Sequence, residues 1–83
     1  MFKRITPLGL STFYKYKEKN TGKLFLVMKI YEDMIVLDGQ ITNMGEGVIE
    51  KGNYLYKEYG KQGKLTYISK KDFKKRFRKV IGF

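Results

Sequence analysis

"SKKDFKKRFRKV", residues 69 to 80, holds seven Lys or Arg and a single acid. How this stretch folds decides both what covers the core and where the charge goes. Its spacing predicts a helix. Ser69 is a good N-cap, and Asp72, three residues on, makes a capping-box-like pattern. Asp72 also suits the positive end of a helix dipole. Phe73, Phe77, Val80 and Ile81 recur at i, i+4, i+7 and i+8, one helical face, and Gly82 supplies the stop. At about 100° per residue, Lys71, Lys74, Lys75, Arg78 and Lys79 fall on the opposite side.

A charged face around an apolar stripe is ordinary in a solvated helix. Here, however, the signs are not mixed. Lys71, Lys75 and Lys79 form one like-charge ladder, and Lys74 with Arg78 forms another. Each such pair costs about 0.2–0.5 kcal/mol in an isolated helix. A repeated cost of this kind points to an anionic partner that relieves it. The five residues Lys71, Lys74, Lys75, Arg78 and Lys79 are therefore the candidate polyanion-binding set.

The rest of the chain reads as short strands. "KLFLVMKI", Lys23 to Ile30, is nearly continuous in apolar residues and follows the turn signal "NTG". "TFYKYK" alternates imperfectly before it and is expected to pair with it across Thr21-Gly22. Asp38-Gly39 suits a two-residue hairpin turn, with Met34 to Leu37 and Gln40 to Asn43 as arms. A second pairing, of Leu24–Ile30 with Met34–Leu37 across "YED", competes with it. Gly45 to Gly47 reads as a loop before Val48-Ile49, and Lys51-Gly52-Asn53 as a turn. "YLYKEY" and "KLTYIS" flank "GKQG" as a further hairpin. Five or six short strands at this spacing predict a compact antiparallel sheet or a small barrel. Phe25, Val27, Ile30, Ile35, Leu37, Leu55, Ile68, Phe73 and Phe77 are the expected core.

Eighty-three residues suffice for one domain. A domain of this size buries only roughly 60–65% of its unfolded surface. Without cysteine, neither disulfides nor thiolate metal sites reinforce it. Lys and Arg number 18 against 8 Asp and Glu, a formal charge of +10. That excess favours anionic partners: nucleic acid first, an acidic protein surface second. Near the N-terminus "ITPLGL" is too short and too interrupted for a secretory h-region. No window reaches the roughly 20 apolar residues of a membrane span. The expectation is a soluble cytoplasmic protein without integral membrane association.

Catalysis has little to work with. Histidine and cysteine are absent, which removes the usual general base and the thiol nucleophile. The eight carboxylates mostly fall at turns and strand ends, with no EF-hand spacing. "GEGVIEKG" has the spacing of neither G-x-G-x-x-G nor the P-loop. No catalytic residue, cofactor or metal is expected. The tyrosines are more suggestive. Tyr14 and Tyr16 share one face of an extended segment with Lys15 and Lys17 on the other, and Tyr54 and Tyr56 repeat the pattern. Rings interleaved with Lys can stack unpaired bases, although Tyr also simply suits strands and the edge of a small core.

The tail "YLYKEYGKQGKLTYISKKDFKKRFRKV" resembles the ending of small SH3-like barrel proteins, some of them encoded by bacteriophages. In those, a last hairpin leads through a polar turn into a short helix with paired Phe residues, here Phe73 and Phe77. The resemblance covers about a third of the chain and carries over no functional residue. It implies a barrel and a nucleic-acid or protein adaptor role. The combined expectation is a single α+β domain over residues 1–83, a strongly bent antiparallel sheet or SH3-like barrel of five to six strands closed by a C-terminal amphipathic basic helix. Its expected function is non-enzymatic nucleic-acid binding through phosphates, with weak sequence preference. Docking on an acidic partner protein, as a phage-encoded modulator would, is the alternative.

Overall fold

Lys23 to Ile30 is nearly continuous in apolar residues because its strand is buried on both faces. The computed structural model describes residues 5–7 and 13–80. Within it, β1 (Ile5–Pro7), β2 (Tyr14–Glu18), β3 (Leu24–Lys29), β4 (Asp33–Val36), β5 (Gly47–Ile49), β6 (Tyr54–Glu58) and β7 (Thr66–Ile68) precede a short helix, α1 (Lys70–Arg76), and a last strand, β8 (Phe77–Lys79). Strand β3 is the middle of a five-stranded antiparallel sheet ordered β7-β6-β3-β2-β8. Tyr14 pairs with Val27 across the β2–β3 hairpin, and Met28 pairs with Leu55 of β6. Gly22 closes that hairpin at φ +73°, a left-handed conformation that a Cβ disfavours. A smaller sheet, ordered β1-β4-β5, joins β4 to β5 antiparallel and to β1 parallel.

Alternation along β3 builds two cores. Met28 faces the smaller sheet and joins Ile30, Met34, Val36, Ile41, Ile49 and Leu55. Phe25 and Val27 face the other way and join Tyr54, Phe73 and Phe77 under the helix. The molecule is thus layered as small sheet, large sheet and helix.

The expected barrel is not formed: among the described residues the two sheets remain separate and do not close, and the fold is mostly antiparallel β with one seven-residue helix. Edges β7 and β8 of the large sheet have three strands between them and are not paired with each other. The reason lies in the tail. The helix expected from Ser69 to Gly82 ends at Arg76, and Phe77 is extended at φ −118°, ψ 152°. Phe77 to Lys79 then pair with Glu18 to Tyr16. Two further backbone bonds fix the reversal, Lys19 N–H to the Arg76 carbonyl and Val80 N–H to that of Lys15. A continued helix would stack Lys71, Lys75 and Lys79 and leave the β2 edge open. The strand removes Lys79 and Arg78 from the ladders, leaving the Lys71–Lys75 pair, and satisfies that edge. Ser69 does cap the helix, its hydroxyl accepting from Asp72 N–H at 3.3 Å. Ile81 and Gly82 lie outside the described residues.

Two other expectations are corrected. Asp38-Gly39 does turn, with Gly39 at φ +86°, but Gln40 to Asn43 is not a strand arm. Strand β4 pairs instead with β5, Met34 opposite Ile49, while β3 pairs with β2 and β6. Ile41 forms only isolated bridges, to Met44 and Leu65. Ile35 and Leu37 are 43% and 56% exposed, because the burial phase of β4 places Met34 and Val36 inward. Ile68 is half-buried; the other expected core residues are buried, and Met28, Met34, Val36, Ile41, Ile49 and Tyr54 join them.

Replacing Phe73 or Phe77 by Ala should destabilise the domain by about 3–5 kcal/mol. Ile35→Thr keeps β-branching on an exposed face and should change stability by no more than about 0.5 kcal/mol. Urea unfolding of the variants checks both. An Ile35→Thr loss as large as the Phe losses would mean that the phase of β4 is reversed.

Candidate functional site

Charge is segregated along the chain. Residues 30 to 50 contain five acids, Glu32, Asp33, Asp38, Glu46 and Glu50, and no Lys or Arg. Subtracting these five from the eight leaves only Glu18, Glu58 and Asp72 beside the 18 basic residues elsewhere. Residues 30 to 50 include β4 and β5, so among the described residues these two strands and their loops are the acidic part. The larger sheet and the helix are basic.

Two of the three remaining acids have basic partners. Glu18 Oε2 accepts from Arg76 Nε at 2.5 Å, and Oε1 accepts from the Thr21 hydroxyl at 2.6 Å. Thr21 first and Arg76 second hold the Glu18 carboxyl below the ordinary carboxylate range. Arg76 also donates to the Tyr56 hydroxyl at 2.6 Å. Burial opposes its charge, but its bonds to Glu18 and Tyr56 outweigh that and raise its affinity for the proton. Arg76 is therefore a structural cation, not a free one. Glu58 lies 3.5 Å from Lys61 in an exposed pair.

The five residues expected on one helical face are divided among three surfaces. Lys71, Lys74 and Lys75 are on α1 and exposed, opposite buried Phe73. Arg78 and Lys79 are on β8, where successive side chains point to opposite faces of the sheet. Arg78 pairs with Lys17, on the face that also carries Lys15 and Lys57. Lys79 pairs with Tyr16 on the aromatic face. Lys19 ties the edge to the helix, its Nζ donating to the Lys74 carbonyl at 2.8 Å. Lysines from the helix end, β2 and β8 thus meet at one edge of the large sheet. Charged side chains there also discourage edge-to-edge pairing with another chain, the ordinary role of Lys on a strand edge.

Lys79 leads to a feature that reading the helix alone misses. A cleft of about 310 Å³ opens on the aromatic face, lined by Tyr14, Tyr16, Tyr31, Tyr54, Lys29 and Lys79 with Val27 among them. Tyr16 is edge-on to Phe73 at 4.9 Å, and Tyr54 is stacked on Phe73 at 3.8 Å. Those two rings are held by the core. Tyr14 and Tyr31 are 51% and 69% exposed. Burial pushes the Tyr16 phenol up, and nearby Tyr54, Tyr31 and Tyr14 push it the same way. Tyr14 and Tyr16 were recognisable from i, i+2 spacing. Tyr31 and Lys29 come from the end of β3 and the turn beyond it, and no spacing rule joins them to Tyr14.

Among the described residues no group of three or more His, Cys, Asp or Glu could hold a metal ion, and no helix is long and apolar enough to cross a membrane. No protein-family model, curated protein or solved structure matches the chain.

The Glu18 bonds make a pH prediction. Its carboxyl is held ionised in the folded state at pH values where the unfolded chain takes up a proton. The stabilisation is complete above the ordinary carboxylate value and is lost as pH falls through the lower folded value. Wild-type stability should therefore fall more steeply than that of Glu18→Gln in this acid range, measured by urea unfolding at a series of pH values. Parallel curves would show that Glu18 contributes nothing through its charge.

Proposed function

We propose that this protein is a non-enzymatic nucleic-acid-binding module that holds its ligand mainly through phosphates. The single observation that carries this reading is the charge segregation. A net charge that served only solvation has no need to be sorted, yet among the described residues five of the eight acids gather around β4 and β5 and the basic residues lie elsewhere. A polyanion then meets a positive surface and is repelled from the opposite end. Lys71, Lys74 and Lys75 on the helix and Arg78 and Lys79 on the last strand are the proposed phosphate contacts, joined by Lys17 beside Arg78. Such contacts carry no base information, so sequence preference is weak.

Docking on an acidic protein is the second reading. The feature that favours it is the tyrosine-lined cleft, since Tyr is enriched at protein interfaces. It uses the same charges.

Each phosphate neutralised releases condensed counterions, so log affinity should fall linearly with log salt, by about 0.9 per contact on duplex DNA and about 0.7 on single strands. Changing Lys71, Lys74 and Lys75 together to Gln should flatten that slope by roughly two to three units. The helix should survive, since Gln is a good helix former. Fluorescence-anisotropy titration across a salt series measures it. Absence of binding by the wild type at ~50 mM salt, where the electrostatic attraction is strong, would sink the proposal. A discrete protein recovered from nuclease-treated lysate, together with that absence, would favour the second reading.

A further inference from the structure

We infer that the cleft between Tyr14, Tyr16, Tyr31 and Tyr54 takes an unpaired nucleobase, so that the protein prefers single-stranded nucleic acid over duplex. This rests on the proposed phosphate-directed binding and adds to it the part of the ligand that phosphate contacts ignore.

The cleft has two parts. Its inner wall is rigid: Tyr54 lies parallel to Phe73, with 14° between the ring planes, and Tyr16 meets Phe73 at 70°. Its outer wall is Tyr14 and Tyr31, two rings left largely in water. In a domain this small an exposed ring is apolar area withheld from the core, and two of them beside one cleft make a platform for a flat ligand. The phenol groups near Tyr16 add hydroxyls that can donate to or accept from a polar ring edge.

Lysine decides the charge of that ligand. Lys29 Nζ lies 5.5 Å from the Tyr31 ring centroid, and Lys79 enters from the paired edge strand. Two ammonium groups disfavour a cationic guest and leave an anion within reach of the rings. A nucleotide has both features, a planar face and a phosphate one sugar away. A neutral sugar or an apolar side chain would use the rings and leave the ammonium groups idle. An acidic peptide would use the ammonium groups and leave the rings without a flat partner, unless it also carried one.

Geometry then excludes the duplex from the cleft. Bases inside a duplex are stacked on both faces and offer only edges, so a ring in the cleft must already be unpaired or be taken out of the stack. The phosphate contacts on α1 and β8 do not make this distinction. Strand preference is therefore the property that belongs to the cleft alone. Lys79 links the two, since it lines the cleft from the strand that also carries Arg78.

The test compares three oligomers of equal length: oligothymidylate, the same backbone with abasic sites in place of bases, and a duplex. Tyr14→Leu/Tyr31→Leu is the variant, chosen because both residues are exposed and the core is untouched. The wild type should bind thymidylate about tenfold or more tightly than the abasic strand, within the range of base–aromatic stacking. The variant should lose that ratio while keeping its melting temperature and its salt slope on the abasic strand. The chain has seven Tyr and no Trp, so intrinsic tyrosine emission also reports the event. Thymidylate should quench it in the wild type and much less in the variant. Equal affinity for thymidylate and abasic strands, with a normal salt slope, overturns the cleft assignment and leaves phosphate binding intact. An unchanged ratio in the variant also overturns it. No binding of any of the three overturns both the cleft assignment and the proposed function.

Discussion

Phe73 stacks on Tyr54 at 3.8 Å and on Phe77 at 5.4 Å, and Phe77 meets the edge of Phe25 at 5.2 Å. The Arg76 guanidinium lies over Phe25, Tyr56 and Phe77, each within 6 Å, while bonding Glu18. This cluster joins the helix to the centre of the large sheet. Phe73 must reach Tyr16 and Tyr54, Phe77 must reach Phe25 and Tyr56, and Arg76 between them must reach Glu18 at the end of β2. The chain meets these demands by ending the helix at Arg76 and reversing along β2. The positions of Arg78 and Lys79 follow from that reversal, and so does one wall of the tyrosine cleft.

The same cluster explains how a domain with so much positive charge holds together. Self-repulsion works against the compact state. Arg76, packed against the core, is given two hydrogen bonds and three ring faces, while Lys71, Lys74, Lys75 and Lys79 of the tail are exposed, where water screens them. The exposed side chains of Lys71, Lys74 and Lys75 can be replaced without touching that cluster. Arg76 cannot be. A basic residue in this tail is therefore structural or exposed according to its place on the helix–strand junction.

Much of the sheet was readable from residues alone. The β2–β3 hairpin at Thr21-Gly22, the β6–β7 hairpin around "GKQG" and the Ser69 cap all follow from local turn and capping chemistry. The buried pair Phe73 and Phe77 was readable too, but not their backbone. Spacing i, i+4 satisfies a helical face, and it is equally satisfied by a helix that stops and hands the second Phe to a strand. Only pairing with the distant β2 decides between them, and short-range periodicity carries no trace of that. The continuous apolar run at residues 34 to 37 hid its phase in the same way, which is why Ile35 and Leu37 were expected inside. As for the site, the amount of charge was legible but its distribution over three surfaces was not. The cleft was half legible: Tyr14 and Tyr16 announce a face, whereas Tyr31 and Lys29 reach it only through the fold.

One helix-to-strand reversal places Lys79 in the tyrosine cleft and Arg78 beside Lys17 on the other face of the same sheet edge. The most direct measurement is a two-dimensional ¹H–¹⁵N NMR titration of the labelled protein with a short oligothymidylate. The amides of Tyr14, Lys17, Tyr31, Arg78 and Lys79 should shift together along one saturation curve, while those of Ile35 and Val48 on the smaller sheet stay in place. Shifts confined to the smaller sheet, or no shifts at all at low salt, would contradict the proposed binding.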